Sequence, residues 1–319
     1  MIIDILLLVL GAALILWGAD RLTDGASALA HRLNVSDTVI GLTVVAMGSS
    51  LPEFSVSLFS SIQGSGGMSA GNIVGSNLFN VLVIIGAVAI INPLPVQKAT
   101  VWKDIPFTII ASIVLFLLAK DTIFSGQSAD MLTRADGGVM LMFFLIFLSY
   151  TYSLAKHKPT SDANVASREM SMPMIILWIL MGFACLIGGG ETLVESGTSI
   201  ARQMGVSETV IGLTILAGGT SLPEFVASLI AARKGMSGMA IGNVVGSCLF
   251  NIFFVLGTCS LVNPMDVSDI DPVQLSALVV SGILMWVFCA TRTKIEKWEG
   301  SIMCVCYVAF IMYLIMQSK

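Results

Sequence analysis

Apolar runs close to membrane-spanning length succeed one another along the whole chain. The purest are Ile2–Ala19, Ile105–Ala119, Val139–Leu154, Met174–Gly188, Leu275–Ala290 and Ile302–Met316. A bilayer-spanning helix needs roughly 17–25 mostly apolar residues. The pattern therefore predicts an all-α polytopic membrane protein of about ten spans, over residues 2–25, 36–62, 69–91, 101–119, 134–155, 173–200, 207–232, 238–262, 271–290 and 299–317. Four of these are impure. Residues 36–91 and 207–262 carry Gly, Ser, Asn, Pro and Glu inside otherwise apolar sequence.

Composition agrees with a membrane chain. Hydrophobic residues make up 56% and charged residues 11%, with mean hydropathy +0.92, against roughly 25% charged in soluble domains. The net charge of -4 is small and offers no footprint for nucleic acid. Met1-Ile2-Ile3-Asp4 has no basic segment ahead of the apolar run, so the first span is expected to be retained. With the N-terminus outside, the inner connections collect eleven Lys and Arg and the outer side four, leaving aside Arg21. That bias predicts both termini outside. The six cysteines, 185, 248, 259, 289, 304 and 306, all fall within predicted spans and read as small apolar fillers.

The impure spans are two copies of one segment. Val35–Asn80 aligns without a gap on Val206–Asn251, 171 positions later, with 28 identities in 46 positions. The correspondence reaches upstream, where Gly18-Ala19-Asp20 matches Gly189-Gly190-Glu191. The polar connection 156–172, expected on the cytoplasmic side, divides an N-terminal repeat (1–155) from a C-terminal one (173–319). Each half holds about five spans. An odd number of crossings inserts the second half upside down, giving inverted-topology repeats with a site near the midplane. The two α-repeats, 35–80 and 206–251, are then opposed halves of one site.

Pro52 and Pro223 lack an amide hydrogen and are expected to break the second and seventh spans near Gly48 and Gly219. Freed carbonyls are tolerated at that depth only when buried in protein or facing a wet cavity. Ser49, Ser50, Glu53 and Ser57 share one helical face, and Thr220, Ser221, Glu224 and Ser228 repeat it. In the third and eighth spans Asn72, Ser76 and Asn80, and again Asn243, Ser247 and Asn251, recur every four residues, which stacks them on one side of a helix. The implied lining is oxygen: carboxylates, hydroxyls, amides and carbonyls. Hard cations such as Ca²⁺ and Na⁺ take such ligands, while thiolates and imidazoles are missing from it. Each mid-bilayer carboxylate costs about 2.5–3.5 kcal/mol unless compensated. One Ca²⁺, two Na⁺ or two protons would neutralise Glu53 and Glu224. Asn72 and Asn243 read equally as interhelical glue, gate lining or ion contacts. Asp20, Asp24, Glu191 and Glu195 lie towards predicted span ends and read as solvated charge, as do His31 and His157 in inner connections.

Gly48-Ser49-Ser50-Leu51-Pro52-Glu53 and Gly219-Thr220-Ser221-Leu222-Pro223-Glu224 resemble the α-repeats of the cation/Ca²⁺ exchanger superfamily, in its prokaryotic-type Na⁺/Ca²⁺ exchanger branch. Gly71-Asn72-Ile73-Val74-Gly75-Ser76-Asn77 and Gly242-Asn243-Val244-Val245-Gly246-Ser247 extend the resemblance. It implies that Glu53 and Glu224 are the main Ca²⁺ ligands. Ser49, Ser50, Ser76, Thr220, Ser221 and Ser247, with the carbonyls of Ala46 and Ala217, would complete Na⁺ and Ca²⁺ sites. Asn80 and Asn251 fall on binding positions too, and the first and sixth spans are expected to slide across the rest. Two positions depart from the family pattern. Ser49 stands where Thr is commoner, and Asn251 stands where many exchangers carry Asp, leaving two carboxylates rather than three.

The expected function is a plasma (inner) membrane antiporter exchanging Ca²⁺ for Na⁺ by alternating access. Its substrates are the ions themselves, with the lipid bilayer as surroundings, no cofactor and no evident protein partner. An exchanger of H⁺ for Ca²⁺ on the same glutamates is the alternative, followed by a non-transporting scaffold or sensor. No nucleophile–base pair, phosphate loop or His-rich motif suggests an enzyme.

Overall fold

The computed structural model describes residues 2–124, 126–156, 170–204 and 217–317. Among these, eight helices are long and apolar enough to cross a membrane: Ile3–Leu33, Gly66–Ile91, Thr100–Ala119, Arg134–Lys156, Met172–Gln203, Ser237–Val262, Pro272–Arg292 and Lys297–Met316. A ninth span is broken into Asp37–Ser49 and Leu51–Ile62, bent by 47°. The expected seventh span, 207–232, falls partly outside the described residues. Its remainder is the pair Ala217–Gly219 and Leu222–Arg233. The expected His157 and most of the 156–172 connection also lie outside them.

Two short antiparallel ribbons check the crossing count. Leu94–Pro95, after the third span, pairs with Lys294–Ile295, before the tenth. Met131–Leu132, after the fourth, pairs with Met265–Asp266, after the eighth. Strands can pair only on the same side of a membrane, so an even number of crossings must separate each pair. Ten spans put six crossings inside the first ribbon and four inside the second. One strand of each ribbon corresponds in the duplication, because Leu94 and Met265 stand 171 residues apart.

The first span runs from Ile2 to Leu33 and the sixth from Met172 to Gln203, 32 residues each. At 1.5 Å per residue these helices are about 48 Å long, well beyond the ~30 Å hydrocarbon core. The sequence-based ends at 25 and 200 fall short. The acids that seemed to mark those ends lie within unbroken helix. The two helices pack antiparallel through duplicated glycines. A Cβ on Gly11 would stand 2.8 Å from the Gly189 carbonyl oxygen, and one on Gly18 would stand 2.9 Å from that of Gly182. Gly11 maps onto Gly182 and Gly18 onto Gly189, so each contact is the other's image under a two-fold axis lying in the membrane plane. Small residues permit this approach where lipid supplies no hydrophobic drive between helices.

The third and eighth spans form the bundle's centre. In their most apolar stretches 72% and 83% of residues are buried, against 17% to 39% in the other continuous spans. Both centres contain a π-helical turn at equivalent places, Phe79–Ile84 and Phe250–Leu256. Such turns disturb the regular ladder and recur at functional sites. The fifth and eighth spans interlock through aromatic rings, including Phe143 stacked on Phe253 at 5.3 Å.

Candidate ion-binding site

Both α-repeats break at a serine. Ser50 (φ -86°, ψ 12°) and Ser221 (φ -88°, ψ 6°) leave helical geometry just before Leu51 and Leu222, with Pro52 and Pro223 in the first turn of the new helix. Glu53 and Glu224 follow in those first turns. A helix N-terminus favours negative charge, so each carboxylate sits where the backbone field helps hold it. Before the break, the end of Asp37–Ser49 turns carbonyls towards the same space. The Ala46 carbonyl lies 3.4 Å from Ser49 Oγ and 3.5 Å from Ser247 Oγ. Ala217, its equivalent, opens the short helix Ala217–Gly219.

The halves clasp each other reciprocally. Ser50 Oγ donates to Glu224 Oε1 at 2.7 Å, and Ser221 Oγ donates to Glu53 Oε1 at 3.1 Å. Shifting one bond by 171 positions gives the other. Ser76 Oγ adds a bond to Glu53 Oε1 at 3.3 Å and lies 2.9 Å from Ser221 Oγ. Glu53, Glu224, Ser49, Ser50, Ser221, Ser247, Asn80 and Asn251 are all fully buried, and Ser76 nearly so. Thr220 is half-buried.

Within this buried pocket four oxygens have no hydrogen-bond partner: Glu53 Oε2, Glu224 Oε2, Asn80 Oδ1 and Asn251 Oδ1. They form two pairs related by the duplication. Buried polar atoms are nearly always satisfied, and an orphaned one calls for an explanation such as an ion. Among the described residues no group of three or more His, Cys, Asp or Glu is arranged to hold a metal ion by itself. The pocket thus offers two carboxylates supplemented by neutral oxygens, a donor set suited to hard cations.

Other residues singled out in the sequence fall around this pocket. Asn243 Nδ2 donates to the Glu224 carbonyl (3.2 Å) and to Ser228 Oγ (2.9 Å), while its Oδ1 accepts from Ser49 Oγ at 3.2 Å. Asn72 Nδ2 donates to Ser57 Oγ at 3.1 Å. Both asparagines therefore tie neighbouring helices of one repeat together, and Asn243 also joins the second repeat to Ser49 of the first. Asp20 and Asp24 are not simply solvated: Lys234 Nζ lies 2.6 Å from a carboxylate oxygen of each. Sequence reading missed this lysine, whose equivalent in the first repeat is Gln63. Glu191 and Glu195 are exposed, as expected, and so is His31. The cysteines are all free, with Cys248, Cys259 and Cys289 buried.

On the Asn72 side a cavity of about 740 Å³ opens between the broken spans and the sixth span, walled by Pro52, Asn72, Glu191, Val194, Thr220 and Pro223. On the Asn243 side the equivalent space is filled. Asn243 is 1% exposed. A Cβ on Gly242 would stand 2.7 Å from the Thr38 carbonyl oxygen. Residue 209, which corresponds to Thr38 in the duplication, lies outside the described residues.

Comparison with known proteins agrees with this geometry. The sodium/calcium exchanger protein family matches residues 3–153 and again 174–316. A putative antiporter, CaxA of Alkalimonas amylolytica, is 35% identical over 328 residues, covering 100% of both chains. The sodium/calcium exchanger MaX1 of Methanosarcina acetivorans is 30% identical over 344 residues, covering 98% of each. The solved structure of the sodium-calcium exchanger NCX_Mj soaked with 10 mM Na⁺ and zero Ca²⁺ superposes with a TM-score of 0.84 at 31% identity, covering 98% of both chains. The chain belongs to the sodium/calcium exchanger protein family.

Proposed function

We propose that the protein is a Na⁺/Ca²⁺ antiporter of the plasma membrane, with both termini outside, working by alternating access at the pocket between the α-repeats. The observation that carries this reading is the set of four unpartnered, fully buried oxygens on Glu53, Glu224, Asn80 and Asn251. Glu53 and Glu224 supply the charge. Ser49, Ser50, Ser76, Thr220, Ser221 and Ser247, with the carbonyls of Ala46 and Ala217, supply neutral oxygens to Ca²⁺ or to Na⁺. The names borne by the sodium/calcium exchangers MaX1 and NCX_Mj support the choice of ions.

Mutual exclusion follows from electrostatics. Two bare carboxylates at mid-membrane cost about 2.5–3.5 kcal/mol each even on a lenient scale, so an empty pocket resists being sealed from both sides. One Ca²⁺ or at least two Na⁺ neutralise it and let the first and sixth spans slide past the rest. Their glycine-lined seam would then exchange the open side for the shut one.

A second reading, H⁺/Ca²⁺ exchange, is favoured by one observation. With Asn at 251 the pocket holds two carboxylates, which two protons also balance. ⁴⁵Ca²⁺ flux in proteoliposomes separates the two. Flux driven by a Na⁺ gradient at uniform pH, and abolished by Glu53→Gln or Glu224→Gln, is expected. Flux driven by a pH gradient without Na⁺ would establish the second reading. Unimpaired flux in both glutamine variants would remove the pocket from the mechanism.

A further inference from the structure

The duplication places Asn77 and Cys248 at equivalent positions, and the two meet where the third and eighth spans cross. Asn77 Nδ2 donates to the Cys248 carbonyl at 3.2 Å. A carbonyl oxygen only accepts, so Asn77 must turn its amino group that way. Its Oδ1 then faces Asn251, whose Nδ2 lies 3.1 Å off and also reaches Ser76 Oγ at 3.5 Å. With its donor end taken up, Asn251 is left with Oδ1 buried and unpartnered in the pocket. A single backbone carbonyl thus sets the polarity of two amides in series.

Asn80 shows the same position without such a relay. Where Asn251 has Asn77, Asn80 has the Cys248 thiol beside it, a weak donor and weak acceptor. Neither Asn80 amide atom has a geometrically sound hydrogen bond. Its amide is therefore undirected, although Asn80 and Asn251 are identical residues at equivalent places on equivalent π-helical turns.

We propose that Asn77 is a positioning residue that holds Asn251 with its carbonyl oxygen towards the bound cation. The eighth-span half of the site is thereby preorganised, while the third-span half adapts to its ion. This rests on the reading of the pocket as the cation site. The relay also explains why Asn rather than Asp suits position 251 here. An aspartate would set acceptor against acceptor at Asn77 Oδ1, and turning Asn77 over would set its oxygen against the Cys248 carbonyl.

Equilibrium binding of ⁴⁵Ca²⁺ to the full-length protein in detergent tests this through a double-mutant cycle. Asn77→Ala is expected to weaken binding about 5- to 10-fold, the scale of one lost orienting hydrogen bond. Asn251→Leu removes the oxygen itself and is expected to weaken binding at least as much. If Asn77 acts through Asn251, the double variant binds within about two-fold of Asn251→Leu alone. An Asn77 that merely supports the fold predicts losses that multiply in full, and that result overturns the proposal. So does Asn77→Ala binding as tightly as the wild type. If Asn77→Ala does not fold, Asn77→Ser replaces it, keeping a hydroxyl beside the Cys248 carbonyl while being too short to hold Asn251. Glu53→Gln is the control for the site. Wild-type binding in that variant would overturn the pocket reading itself, whereas lost binding with a multiplicative Asn77/Asn251 cycle would overturn the relay alone.

Discussion

Lys234→Met should loosen the shut side of the molecule. Lys234 Nζ sits 2.6 Å from Asp20 Oδ1 and 2.6 Å from Asp24 Oδ1, and donates to the Asp20 carbonyl at 3.0 Å. The acids ride on the first span and the lysine closes the seventh, so these bonds must break if the first span slides. Side-chain exposures of 24% for Lys234, 36% for Asp20 and 25% for Asp24 mean that water screens the pairs in part. Such ion pairs are worth about 0.2–1 kcal/mol each. With the bond to the backbone carbonyl, the cluster contributes about 1–2 kcal/mol, a 5- to 30-fold bias in the shut-to-open ratio. Methionine keeps the length of the side chain and removes the charge. Reaction of an impermeant maleimide with Met239→Cys, buried on the shut side, reports its opening, with the exposed Cys306 replaced by Ser. Labelling should quicken about 5- to 30-fold in Lys234→Met. High salt should quicken it partly in the parent and hardly at all in the variant, because screening acts on a bond the variant lacks. Equal rates with and without Lys234 would refute the reasoning.

The reciprocal serine bonds predict matched defects: Ser50→Ala and Ser221→Ala should each weaken Ca²⁺ binding about 5- to 10-fold, and a large difference between them in equilibrium binding would contradict the reciprocal clasp. Gly18→Leu or Gly182→Leu drives a side chain into the facing helix's backbone, 2.9 Å away at its Cβ, and should destabilise by about 1–3 kcal/mol while slowing flux more than binding, as thermal melts and ⁴⁵Ca²⁺ uptake would show. Between the fourth and fifth spans Lys120, 2% exposed, bonds Asp130 at 2.7 Å, and Thr122 adds two bonds. Burial works against the Asp130 carboxylate, yet these bonds and the lysine's charge outweigh it and hold its pKa below the ordinary 3.8. A lowered folded-state pKa gives stability that is complete above 3.8 and lost as pH falls through the lower value. The ribbon that carries Met131 should therefore open in acid, and Asp130→Asn should flatten that pH dependence in amide exchange of Met131 and Leu132.

The broad architecture was legible because it follows from period and duplication. Apolar run length gives the spans, and the 171-residue offset pairs Ser50 and Glu53 with Ser221 and Glu224, which the fold brings together. Span ends were less legible. Asp20 and Glu191 look like ends to a hydropathy reading, but the helices continue: Lys234, distant in sequence, pairs with Asp20, and Glu191 lines an open cavity. Asn72 and Asn243 could not be told from ligands by spacing alone. Their amides are taken up by Ser57 and Ser228, hydroxyls that the same spacing had put on the site's face. Asn77 closes the first repeat's motif, but duplication gives it no role, since its partner position in the second repeat holds Cys248.

That last difference points to a general argument about duplicated transporters. Where the repeats are identical, as at Ser50/Ser221 and Glu53/Glu224, the bonds between the halves are reciprocal. Where they differ, the structure is lopsided: Gln63 against Lys234 beside a shut side, and Asn77 against Cys248 beside one directed amide and one undirected. A perfectly symmetric inverted repeat would give its inward- and outward-open states equal energy. It would also give its two half-sites equal preference for each ion. Departures from identity are the means by which such a chain sets a resting state and makes the half-sites unequal. In this protein two such departures make bonds that their images do not: Asn77 directs the Asn251 amide, and Lys234 ties the end of the seventh span to the first.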